Sequence, residues 1–301
     1  KHLFIYASDE FEGRDTGEPG QKKAAAYLKD FYVKKGIASP LGGKNYFQEV
    51  PASFLNKSIR GRGLKASENV LAFIKGSEKP DEVLVISAHL DHVGIRNGKI
   101  YNGADDDWSG TVAILEIAEA FQKAVKEGKG PKRSILFLHV TGEEKGLLGS
   151  KYYVENPIFP IANTVANLNI DMIGRIDDRH KDNPNFVYLI GSDKLSTDLH
   201  NLSEDVNTKY TNISLDYKYN DERDPNRFYY RSDHYNFAKY NIPIIFYFNG
   251  THEDYHQPSD TPDKINYDLL QNRSRLIFHT AWEIANRDSR LVVDKPVPME
   301  N

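Results

Sequence analysis

The runs "EVLVISAHL", "RSILFLHV" and "IPIIFYFNG" are apolar almost without interruption. A strand with one wet face alternates apolar with polar residues, whereas a strand covered on both faces reads as a short continuous apolar block. Between such blocks the period changes. In "SGTVAILEIAEAFQKAVKEG", Ile114, Ile117, Ala118, Phe121 and Val125 recur at helical spacing. Buried strands alternating with amphipathic helices predict the α/β class, specifically a three-layer α/β/α sandwich with a mixed, largely parallel central sheet.

Three further strands are predicted in "NVLAFIKG", "VANLNIDMIG" and "NFVYLIG". Near the start, "GQKKAAAYLKDFYVKKG" places Ala24, Leu28, Phe31 and Tyr32 on one helical stripe that stops at Gly36. Near the end, Leu270, Ile277, Ala281 and Ile284 share a face of "YDLLQNRSRLIFHTAWEIANR". Pro40, Gly42, Gly43 and Pro51 break the pattern between Gly36 and Ala66, leaving only short strands there. No repeat or linker-like composition divides the chain, so residues 1–301 read as a single domain. The irregular "DYKYNDERDPNRFYYRSDHYN" is long enough to be a binding or lid element.

Charge and composition exclude several functions. With 39 basic and 43 acidic side chains the net charge is −4, which offers nothing to a phosphate backbone or an anionic membrane surface. There is no cysteine, so any metal must be held by nitrogen and oxygen. No run reaches membrane-spanning length, and the opening "KHLFIYASDE" lacks the features of a signal peptide. Neither a serine-hydrolase elbow nor an HExxH helix occurs. "GRGLKA", beginning at Gly61, fits a dinucleotide fingerprint loosely but has no strand-to-helix unit around it.

In parallel sheets, ligands bind beyond the carboxyl ends of the strands. His89, the pair Glu143 and Glu144, and Asp171 all follow apolar runs. Asp105, Asp106 and Asp107 precede a helix, and His256 follows the last strand after a short loop. One such acid alone is ordinarily a helix cap or a solvated loop residue. Gathered at one sheet edge, these groups would repel one another unless cations lay among them. Imidazole with carboxylate suits zinc, with cobalt or manganese as alternatives. The residues alone do not say which oxygen serves which ion.

The blocks "SAHLDHVG", "GADDDWSG", "TGEEKGLLGS", "NLNIDMIG" and "DYHQPSDT", in this order, resemble the M28 family of zinc aminopeptidases. That resemblance implies two Zn2+ per chain on a zinc-exopeptidase fold. Carried over, it makes His89 and Asp171 ligands of one ion, Glu144 and His256 ligands of the other, and Asp106 the bridge. It makes Asp91 the carboxylate that orients His89, and Glu143 the general base acting on a zinc-bridging hydroxide. Tyr255 matches a tyrosine that donates to the oxyanion. The "RSDHYNF" block matches a segment shaping the pocket for the substrate's amino end, with Arg231, Asp171 and Tyr255 in contact with substrate and with Asp233 and His234 as structural hydrogen-bonding residues. His92 stands where many relatives have serine and reads as an exposed or outer residue rather than a ligand. Trp108 and the loop from Asp216 to Tyr230 depart from the family pattern and are expected to alter the specificity pocket. The resemblance implies an exported, monomeric aminopeptidase acting on peptides with a free N-terminus. A single-zinc glutaminyl cyclase, a carboxypeptidase and a non-catalytic binding module are the rival readings.

Overall fold

A computed structural model describes residues 1–58 and 63–295; Gly61 and Arg62, which open the "GRGLKA" stretch, lie outside the described residues. Its strands are β1 Phe47–Val50, β2 Ser67–Ile74, β3 Lys79–His89, β4 Gly94–Arg96, β5 Lys99–Tyr101, β6 Arg133–Val140, β7 Thr164–Ile170, β8 Phe186–Ile190, β9 Ser214–Asp216 and β10 Ile244–Phe248. Its helices are α1 His2–Tyr6, α2 Pro19–Lys35, α3 Ala52–Leu55, α4 Trp108–Lys126, α5 Leu148–Glu155, α6 Thr197–Tyr210, α7 His234–Ala238 and α8 Tyr267–Asn286.

Eight strands form one sheet in the order β1-β2-β6-β3-β7-β10-β8-β9, while β4 and β5 make a separate hairpin. The central four, β6-β3-β7-β10, are parallel to one another. Antiparallel pairings flank them, β1 with β2, β2 with β6 and β10 with β8, so the sheet is mixed with a parallel middle. This is the predicted architecture.

The continuous apolar runs are explained by what covers them. In β3, Leu84 and Ile86 pack into the core that includes α2, α4 and α8, while Val83 and Val85 pack into the opposite core with Tyr153 of α5 and Phe237 of α7. Side chains alternate across a strand, so both faces must be apolar to be dry, and each fully buried Val, Leu or Ile contributes about 1.5–3 kcal/mol. One layer is thick and helical; the other consists of two short helices and irregular chain.

Parallel neighbours need crossover connections. The connection from β3 to β6 runs through α4 on one face, and that from β6 to β7 through α5 on the other. Successive loops therefore part at the carboxyl ends of the middle strands, which is where an open α/β sheet leaves a crevice. The helix α6 lies in a stretch the sequence reading left unassigned. Leu199 and Val206 are buried and Leu202 is partly buried against the core, while most of the other positions are polar, so its apolar stripe is thin. Among the described residues, no helix is long and apolar enough to cross a membrane.

Candidate metal centre

His89 is the last residue of β3, Asp171 follows β7, and Glu143 and Glu144 lie just beyond β6. Asp106 comes from the loop leading into α4, and His256 from the loop after β10. Adjacent parallel strands thus bring together side chains far apart in sequence.

The three consecutive aspartates have separate tasks. Asp105 accepts from the Gly174 N–H at 2.6 Å and faces His252 Nε2 at 3.1 Å. Asp107 caps α4 by accepting from the Gly110 N–H at 3.0 Å, and also accepts from the N–H groups of Met172 at 3.1 Å and His89 at 3.2 Å. Glycine is required at 110, because a Cβ would lie 2.5 Å from the Asp107 carboxylate and 2.7 Å from the Ile170 carbonyl. Asp260 accepts from the N–H groups of Asp105 and Asp106, fixing the loop from outside. Only Asp106 is left to face His89, His92 and His256, and its two oxygens point to different groups.

Asp106 Oδ1 lies 3.1 Å from His89 Nε2, which is 3.8 Å from Asp171 Oδ1. Asp106 Oδ2 lies 2.9 Å from His256 Nε2, which is 3.0 Å from Glu144 Oε1. Two donor clusters with one shared carboxylate result: His89, Asp106 and Asp171, and His92, Asp106, Glu144 and His256.

His92 departs from its sequence reading. It is fully buried, with Nδ1 3.0 Å from Glu144 Oε1, rather than exposed. Asp91 also differs in detail. His89 Nδ1 meets the Asp91 backbone carbonyl at 3.0 Å, while the carboxylate stands 3.9 Å away. That carboxylate instead accepts from the Glu143 N–H at 3.1 Å and the Thr16 hydroxyl at 2.8 Å. Asp91 therefore holds the His89 ring with its main chain and the Glu143 backbone with its side chain. Trp108 is buried against Tyr6, with ring centroids 3.2 Å apart, and does not border the cleft. The loop from Asp216 to Tyr230 does reach the cleft, through Phe228.

The cleft beside the clusters is bordered by Asp106, Glu143, Asp171, Arg231, Tyr255 and an apolar group of Met172, Phe228, Phe246 and Phe248. Arg231 is exposed, its guanidinium 4.9 Å from the Phe228 ring centroid. Ser232 donates to Asp171 Oδ2 at 2.6 Å, and Ser150 to Asp233 at 2.5 Å. His234 Nε2 meets the Tyr229 carbonyl at 2.7 Å.

The titration of these groups is perturbed in opposite directions. Burial pushes the Glu143 carboxyl well above its usual range, and the charges of Glu144, Asp233 and Asp171 add to that push. Burial would raise Asp106 as well, but hydrogen bonds with His256 and His89 outweigh it and hold Asp106 well below the ordinary carboxylate range. Burial and Asp106 act upward on Glu144, yet His256 and His92 bring it down to about 2. His256 is raised to about 10, burial being overcome by Asp106 and Glu144. Protons on imidazoles thus balance the carboxylates when no cation does.

The residues fit divalent ions. Their donors are imidazole nitrogens and carboxylate oxygens, the set zinc takes. His92 and Glu144 Oε1 are buried without hydrogen-bond partners, so their lone pairs are uncommitted. Metal would displace the imidazole protons, so affinity falls as pH falls.

Arg14 and Thr16 are given no role in the sequence reading, yet they brace the centre. The buried Arg14 guanidinium donates to the carbonyls of Leu90 at 3.1 Å, Asn102 at 2.6 Å and Gly103 at 3.2 Å, clamping the His89 and Asp106 segments together. Main-chain carbonyls are the same for every residue type, so no motif announces such a partner.

A mixed α/β sandwich that gathers imidazoles and carboxylates in two clusters at its strand ends is the build of a metal-dependent protein with its centre in the sheet crevice. Residues 69–281 match Peptidase family M28, and the chain belongs to that family. Among curated relatives, it is 28% identical over 303 residues to leupeptin-inactivating enzyme 1 of Streptomyces exfoliatus, covering 94% of this chain and 59% of that protein. It is 37% identical over 119 residues to a probable glutamate carboxypeptidase, LAMP1, of Arabidopsis thaliana, covering 39% of this chain and 16% of that protein. The chain therefore spans less than two thirds of the length of these relatives. The fold is similar to that of BSAP, a zinc aminopeptidase from Bacillus subtilis, with a TM-score of 0.70, 16% identity and 95% of each chain covered.

Proposed function

We propose that the chain is a zinc-dependent aminopeptidase, with residues 1–301 acting as one catalytic unit that removes N-terminal residues from peptides. The observation that carries this reading is the pair of donor clusters sharing Asp106, with Glu143 beside them on a cleft. His89 and Asp171 would hold one ion, Glu144 and His256 the other, and Asp106 both. Bound there, two divalent ions supply Lewis acidity to the scissile carbonyl and make water nucleophilic at neutral pH.

The chain's own groups do the rest. Glu143, its affinity for protons raised by burial, takes the proton from the attacking water and passes it to the leaving amine. Its backbone is fixed by Asp91, so the carboxylate does not wander with the loop. Asp171, aligned by Ser232, borders the cleft and faces the substrate's α-ammonium group. Tyr255, whose phenol is pushed far above its usual range by burial, stays protonated and donates to the developing oxyanion. Met172, Phe228, Phe246 and Phe248 favour an apolar first side chain, with Arg231 at the rim. The enzyme would act as an exported monomer.

Two clusters support this reading over a single-ion cyclase, and retention of Glu143 with all five donors supports it over a non-catalytic module. The test uses leucyl-para-nitroanilide with free and acetylated amino groups, with zinc and with chelator. Turnover of the free amine alone, lost on chelation, is the expected result. Turnover of the acetylated substrate, or of a carboxyl-terminal substrate instead, would overturn it.

A further inference from the structure

His92 has no task in that mechanism, yet its surroundings are not those of an idle side chain. Neither ring nitrogen has a hydrogen-bond partner, and the residue is fully buried. Such an orphan forfeits its hydration at a penalty of about 1–3 kcal/mol, which native interiors seldom retain. Its Nδ1 lies 3.0 Å from Glu144 Oε1 and 3.8 Å from Asp106 Oδ2, the two oxygens that also approach His256 Nε2. Donors bound to one tetrahedral zinc at about 2.0–2.2 Å stand roughly 3.3 Å apart, so these separations suit a common ion.

We infer that His92 is a further metal ligand, binding through Nδ1 at the ion position formed by Asp106, Glu144 and His256. The inference rests on the two-ion reading and makes the two positions unequal. One has four protein donors, two nitrogens and two oxygens, and a shared water would make it five-coordinate. The other, at His89, Asp106 and Asp171, has three.

The surrounding chain is built to hold the ring there. The His92 N–H donates to the Arg14 carbonyl at 3.1 Å. Gly103, at φ 54°, lets the ring lie against the loop, because a Cβ there would stand 2.6 Å from His92 Cγ and Cδ2. Glu144 and His256 are partly exposed, whereas His89, His92 and Asp171 are buried, so donor number and not depth distinguishes the two positions. The four-donor position is the one that loses its ion last.

Two measurements test this. In wild-type protein loaded with 113Cd and labelled with 15N-histidine, His92 Nδ1 should show 113Cd–15N coupling alongside Nε2 of His89 and His256. Coupling at His89 and His256 without His92 would overturn the inference and leave the two-ion reading standing; no coupling at any histidine would remove both. In H92S, zinc release to a chromophoric chelator should show the slower of two phases weakened at least 10-fold, with the faster one unmoved. An unchanged slow phase would also overturn it, and the cadmium spectrum of the wild type decides if H92S does not fold.

Discussion

At the scale of the residue, the centre is a set of opposed protonation preferences. Glu143 and Glu144 are neighbours, yet one is pushed up by burial and by neighbouring carboxylates while the other is drawn down to about 2, its burial and Asp106 outweighed by the imidazoles of His256 and His92. The proposed base and the proposed ligand are thereby separated by environment, not by residue type. Glu143→Gln keeps the shape and removes the proton acceptor. Turnover should fall by about 10²–10⁴-fold, while bound metal, measured by atomic emission, stays at the wild-type amount; loss of metal together with activity would place Glu143 among the ligands instead. His89, Glu144 and Asp171 were legible as candidates because each sits where a strand pattern stops, whereas Asp106 and His256 were picked out by the family blocks that contain them. What lay beyond sequence were contacts through the main chain. The Asp91 carbonyl, rather than its carboxylate, meets His89, and the partners of Arg14 are all carbonyls. Nor could a pattern show that His92 points inward, since three-residue spacing from a strand end does not fix the direction of a turn.

At the scale of the element, the packing of α2 on the sheet buries a titratable pair. Tyr32 of α2 and His139 of β6 meet at 2.7 Å between the phenol oxygen and Nε2, and both are fully buried. Burial lowers His139 to about 3, so it is neutral in the folded chain near neutrality. The unfolded chain binds that proton below about pH 6.5, so stability is complete above that pH and is lost as pH falls toward 3. The slope from this one residue is about 1.4 kcal/mol per pH unit. In urea unfolding of chelator-treated protein between pH 6 and 4, His139→Gln should lose stability less steeply than wild type by that amount, and parallel slopes would contradict the assignment. Elements with a strong period were legible in the sequence. Ala24, Leu28, Phe31 and Tyr32 of α2 are all buried, as their stripe requires. In α6 the signal fails because Leu199 and Val206 are diluted by polar residues, the helix being only partly covered. Trp108 was misread for a related reason. A bulky residue beside a ligand looks like a pocket wall, but the α4 cap turns it toward Tyr6 and away from the cleft.

At the scale of the whole molecule, four parallel strands and the loops beyond them converge on one buried group of like charges. Folding must bring Asp106, Asp171, Glu143 and Glu144 together, and ions that bind only the folded arrangement stabilise it. At a thousandfold excess over the dissociation constant that linkage is about 4 kcal/mol, or on the order of 10 °C for a chain of this size. Chelation followed by differential scanning fluorimetry should lower the midpoint accordingly, and zinc should restore it; an unmoved midpoint would mean that no ion is linked to folding. The overall sandwich was readable from alternating patterns, whereas the asymmetry between its layers was not, because thin cover on one face leaves no distinct period. The Arg14 clamp carries a last implication. An engineer who pared back the leading edge of this chain would be removing a keystone and not a trimming: the open sheet would still stand, while the two loops that arch over the cleft drifted out of register.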